Sequence, residues 1–65
     1  MKFYRLIEVW SGTQRAENVF NDEAVARAEF ESVSRNPFVN GARLYEAEFV
    51  DGKLRDKECV AEYLK

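Results

Sequence analysis

The side chains able to do acid–base or ionic chemistry crowd the last third of this sequence. Glu46 and Glu48 stand two positions apart, as do Asp56 and Glu58; Asp51 lies between the pairs and Glu62 beyond them. Residues two apart on a strand point the same way, so each pair sets two carboxylates side by side. General acid–base work uses such pairs, but it also needs a pocket that drives their pKa values apart. A chain of 65 residues has little depth for one. Other reactive types are sparse. There is no histidine, which removes imidazole triads, imidazole dyads and the commonest zinc ligand. Cys59 stands alone without an activating partner and reads as a small, buried strand residue. Gly12, Gly41 and Gly52 are isolated turn glycines, not a phosphate-cradling loop. The expectation is no catalytic residue, no metal site, no cofactor and no enzyme. The acids read as a solvated strand face or as a surface that meets basic groups on another molecule.

Composition narrows the partner. The chain is 46% hydrophobic and 34% charged, which is a folded composition, not a disordered one. Its net charge of −2 argues against direct nucleic-acid binding, which basic patches drive. A single cysteine excludes an intramolecular disulfide. No apolar run approaches the ~18 residues of a membrane span, and Met1-Lys2 leads directly into a strand pattern. The expected location is the cytoplasm.

The elements that must position these residues follow from pattern. Lys2 to Trp10 is dense in β-branched and aromatic residues and predicts strand 1. A Ser11-Gly12-Thr13 turn leads to Gln14–Phe20, a returning strand. A helix is predicted over 22–35, capped by Asn21, with Asp22 and Glu23 at the positive end of its dipole. Phe20 and Val25 stand as a hydrophobic staple, and Asn36-Pro37 ends the helix. Phe38 to Gly41 reads as a loop. Ala42–Val50 and Lys53–Leu64 flank Asp51-Gly52, a strong hairpin signal. The order β-β-α-β-β predicts a single α+β domain over residues 1–65. It is a two-layer sandwich with a four-stranded antiparallel sheet and one helix on one face.

Two features of that layout bear on function. A two-residue turn at Asp51-Gly52 sets Glu48 opposite Arg55 and Glu46 opposite Lys57, a charge-balanced surface. A three-residue loop sets Glu48 opposite Asp56 and Glu46 opposite Glu58, an acidic stripe; turn chemistry favours the first. The second feature is the uncovered sheet face. Phe3, Ile7, Val9, Val25, Phe30, Val33, Tyr45 and Phe49 are expected between helix and sheet. Tyr4, Leu6 and Trp10 then lie on the open face, either as an alternative binding patch or shielded by Arg and Lys stems.

In size and layout the chain resembles the small accessory proteins of phages and mobile elements, the anti-CRISPR and other anti-defence proteins among them. The resemblance is carried by MKFYRLIEVW, the helix NDEAVARAEFESVSRNP and the hairpin GARLYEAEFVDGKL. It implies a stand-alone inhibitor acting in a bacterial host on a protein or nucleoprotein complex, some such proteins being DNA mimics. Glu46, Glu48, Asp51, Asp56, Glu58 and Glu62 are the residues such mimicry would use. The other function classes open to this sequence are a small-molecule or nucleotide sponge built as an oligomer, and a homodimeric structural module.

Overall fold

The computed structural model describes residues 1–65. Strand β1 (Phe3–Trp10) turns through Ser11–Thr13 into β2 (Arg15–Phe20); helix α1 (Glu23–Ser34) crosses to β3 (Val39–Val50), and β4 (Lys53–Leu64) closes the chain. The four strands form one antiparallel sheet in the order β2-β1-β3-β4. The helix lies against one face, so the fold is the expected two-layer α+β sandwich.

The hairpin turn is the two-residue type. Asp51 (φ 52°) and Gly52 (φ 77°) are both left-handed, and Val50 pairs with Lys53. That geometry is the primed turn whose twist matches the strands, and Asp-Gly tolerates it. The register does not then run straight. Shifts at Glu46/Ala47 and Leu44/Tyr45 leave Lys57 and Val60 without opposite residues. Each bulge inserts a residue into β4 and increases its twist. Glu48 faces Arg55 as the short turn requires, while beyond the first bulge Glu46 faces Glu58, not Lys57.

The helix is capped by Asp22, not Asn21: its side chain accepts from the Val25 N–H at 3.0 Å. That shift moves the staple positions off Phe20 and Val25, and Val25 is exposed. The buried positions Ala26 and Val33, with half-buried Phe30 between them, follow the helical period and form the stripe that meets the sheet. The chain after Pro37 enters β3 three residues earlier than its loop-like residues imply, because Val39 pairs with Trp10 and is fully buried.

The covered sheet face is the opposite of the one expected. Tyr4 and Leu6 are buried on β1, against Ala42 and Leu44 on β3, with Trp10 packed at the margin. Phe3, Ile7, Val9 and Tyr45 are only half-buried on the other face, and Phe49 is exposed. Strand parity makes this an all-or-none exchange. Parity also places Glu8 under the helix, 4% exposed. It is tolerated because Trp10 Nε1 donates to Oε1 at 2.8 Å and Asn18 Nδ2 donates to Oε2 at 3.3 Å. The cost of burying a polar group falls when its hydrogen bonds are made.

Two expectations follow. Leu6→Ala removes a fully buried side chain and should cost about 2–5 kcal/mol in urea unfolding, clearly more than Ile7→Ala on the uncovered face. Equal losses would contradict the face assignment. Glu8→Ala should cost about 1–3 kcal/mol by leaving the Trp10 N–H unpaired, whereas Glu8→Gln keeps an oxygen for that donor and should cost less. The same unfolding curves compare the two.

Candidate protein-binding surfaces

The helix-free face is built around Arg5. From the middle of β1 its guanidinium reaches both ways across the sheet. Nη1 donates to Glu17 Oε1 on β2 at 2.9 Å, and Nη2 pairs with Asp56 on β4. To reach Asp56 it crosses β3, where Cζ lies 5.9 Å from the Tyr45 ring centroid. Ala47, the residue opposite Asp56, is fully buried beneath this crossing region. The bond to Asp56 raises the Arg5 pKa above its usual value, burial opposes it, and Glu17 adds to the rise. Arg5 Nε is buried without a partner. A second pair, Arg43 Nε to Glu62 Oε2 at 2.6 Å, runs between β3 and β4 on the same face. Arg15, beside Val9 on β2, makes no ion pair. The apolar residues Ile7, Val9 and Tyr45 lie half-exposed among these groups. Phe3 and Phe49 meet edge to face, with centroids 5.0 Å apart, at the end of the sheet towards the hairpin turn.

The same end carries a second surface. β1 pairs with β3 only as far as Phe3 and Ala47, so Glu48–Val50 and Lys53–Arg55 continue as a two-stranded arm. Twelve residues at about 3.3 Å each account for the long axis of a molecule measuring 36 × 22 × 15 Å.

The six candidate acids therefore do not share one surface. Asp56 and Glu62 belong to the helix-free face, held by Arg5 and Arg43. Glu46, Glu48 and Glu58 point to the helix side, where Lys2 Nζ stands 3.0 Å from Glu46 and Lys57 Nζ 3.8 Å from Glu48. Lys2 also relieves the Glu46/Glu58 opposition, and Glu46 raises the Lys2 pKa. Asp51 sits in the turn. Only Asp51 and Glu58 of the six make no ion pair. Tyr4 and Leu6 are core residues and form no exposed patch with Trp10, because their parity is that of the helix-covered face. Sequence reasoning missed Arg5, Arg43 and Tyr45 as surface-forming residues. The signal for them lies in β3, where Ala42 and Leu44 share one parity and Arg43 and Tyr45 the other.

Cys59 is exposed on the helix-free face opposite Tyr45, not buried, and its thiol lies 3.4 Å from the Ala61 carbonyl oxygen. A strand at the sheet edge has no neighbour to cover it. No group of three acid or thiol side chains converges to hold a metal ion. The hollows are open ones. One of about 390 Å³ lies between Phe3, Val19, Phe20 and Val25, and another of about 190 Å³ lies over Ile7, Val9 and Gly41. No helix is long and apolar enough to cross a membrane. No protein-family model, curated protein or solved structure matches this chain.

At the helix N-terminus the Tyr4 hydroxyl donates to Glu23 Oε1 at 3.3 Å, and Arg27 Nε donates to Glu23 Oε2 at 2.9 Å. Arg27 holds the Glu23 carboxyl below its ordinary range. Burial first, and then the Glu23 charge, raise the Tyr4 phenol above its ordinary value of 10.0. The unfolded chain then loses this proton before the folded one does. This contribution to stability is complete below the unfolded pKa and is lost as pH rises through the folded value. Tyr4→Phe has no proton to lose. Thermal melts from about pH 8 to about pH 11 should show the variant gaining on the wild type at the alkaline end. A constant difference across that range would count against a buried Tyr4.

Proposed function

We propose that this chain is a non-enzymatic binding protein that acts on a protein partner, as an anti-defence inhibitor of a bacterial nucleic-acid-handling complex would. We further propose that the β3–β4 arm is the element it presents. The observation that carries this reading is the arm itself, a two-stranded extension that no other strand or helix of the chain covers. Its apolar knob is Phe49, 56% exposed and braced by the Phe3 ring, with Val50 beside it. Phe49 projects from the helix-free side of the arm; Glu48, Lys53 and Arg55 project from its other side, Asp51 stands in the turn at its tip, and Glu46 and Glu58 follow at its base on the helix side. An exposed aromatic bordered by charged groups is a common anatomy of a binding hot spot. The two acids without an ion pair, Asp51 and Glu58, are the ones free to meet Lys or Arg on a partner. Rim charges of this kind govern encounter rate and salt dependence more than final affinity. The helix-side and turn acids thus keep the role that mimicry of a phosphate backbone would give them. Asp56 and Glu62, already engaged within the chain, do not.

The test is a comparative capture from bacterial lysate, with bound proteins identified by mass spectrometry. Bait proteins are the wild type, Phe49→Lys, and the double variant Asp51→Lys with Glu58→Lys. A protein held by the wild type should be lost on Phe49→Lys. The double reversal should weaken its binding about tenfold or more at low salt, with less difference at high salt, where such charges are screened. A partner retained equally by all three baits, each folded by circular dichroism, would remove the arm as the binding element.

A further inference from the structure

The helix-free face of the sheet, centred on Arg5 and continuous at one end with Phe49 of the arm, is a second surface. We infer that it is the contact surface for a second copy of this chain, giving a two-fold dimer with two sheets face to face between two outer helices. Three observations lead there. The first is how little the isolated chain buries: ten of 65 residues, with Ile7, Val9 and Tyr45 left half-exposed at the centre of this face. Domains of this size commonly draw extra stability from association.

The second is area. Four strands spaced about 4.8 Å, each with about eight residues of 3.3 Å on the sheet, give a footprint of roughly 500 Å². Two such footprints come to about 1,000 Å² over both copies, the lower bound for a specific interface. Antiparallel sheets pack in this way with about 10 Å between them.

The third is charge. A two-fold contact sets a patch against itself, so the patch must be self-complementary. This face carries Arg5, Arg15 and Arg43 against Glu17, Asp56 and Glu62, three of each sign. A face with a net sign would repel its copy. A balanced one does not, and it has no excess positive charge to draw a nucleic-acid backbone. Arg5 and Arg43 are already tied to their acids within one copy. They enter the contact already paired, with little side-chain freedom left to lose.

Sedimentation equilibrium from low-micromolar to near-millimolar protein tests the inference. The wild type should reach twice the 7.6 kDa of the chain. Arg43→Glu changes an exposed residue and turns the balanced face negative beside Glu62, so it should sediment as a monomer with an unchanged circular dichroism spectrum. Ile7→Lys should do the same where it folds; Arg43→Glu decides the matter where it does not. Cys59 supplies a readout that needs no substitution, since its exposed thiol lies on this face. Its rate of labelling by a maleimide should fall as wild-type concentration rises and stay constant in Arg43→Glu. A wild type that remains monomeric throughout, an Arg43→Glu protein that dimerises like the wild type, or thiol labelling that ignores the change in mass would each overturn the inference.

Discussion

One helix can shield one face of a four-stranded sheet, and the cross-strand pair Leu6–Leu44 determines which. Both side chains are fully buried at the centre of the two inner strands, and α1 presents Ala26 to them, a residue with no bulk to hold the helix away. Once Leu6 faces the helix, strand alternation places every other residue of the sheet. Tyr4 must run under the helix N-terminus and meet Glu23. Glu8 must be buried and find Trp10 and Asn18. Arg5, Ile7, Val9, Arg43 and Tyr45 must face the other way.

That second face shows how a sheet lives with half a cover. Its apolar residues are not sealed by a second layer. They lie beneath long cationic side chains whose stems cover carbon while their heads find carboxylates. Arg5 spans the sheet from Glu17 to Asp56 and passes the Tyr45 ring on the way. Exposed ion pairs contribute little individually. Their value here is geometric, in holding the stems flat. This also explains why four of the six candidate acids are already neutralised, and why the overall charge is a poor guide to the charge of any one surface.

Much of the fold was legible in the sequence. Asp51-Gly52 between two strand-like runs specifies the hairpin, and the Ala- and Glu-rich segment before Asn36-Pro37 specifies the helix. The covered face was not legible, because each parity of β1 mixes apolar residues with a single charge: Arg5 on one side, Glu8 on the other. Phe3, Ile7 and Val9 are the stronger core formers by type. What reverses the choice is remote from β1. It is the parity of Ala42 and Leu44 on β3, together with two donors that satisfy Glu8. The candidate acidic surface failed to assemble for a related reason. Asp56 meets Arg5, 51 positions away, a pairing that no local spacing reports. The bulges at Lys57 and Val60 also break the register on which any stripe along β4 depends.

The two surfaces divide the work of a small binding protein without competing for the same residues at their centres. Asp51 lies in the turn at the tip of the arm and Glu58 points to the helix side, so both stay accessible when the sheet faces of two copies meet. Dimerisation would then place two arms on one particle. Two linked contacts gain from effective concentration where geometry lets both engage, without any new interaction at either. Arg5 Nε is already buried without a partner in the single chain, so sheet packing adds nothing to the cost of that unpaired donor, about 1–3 kcal/mol. A face closed by preformed ion pairs thus favours a moderate, reversible association, unlike the dry apolar core that an obligate dimer builds.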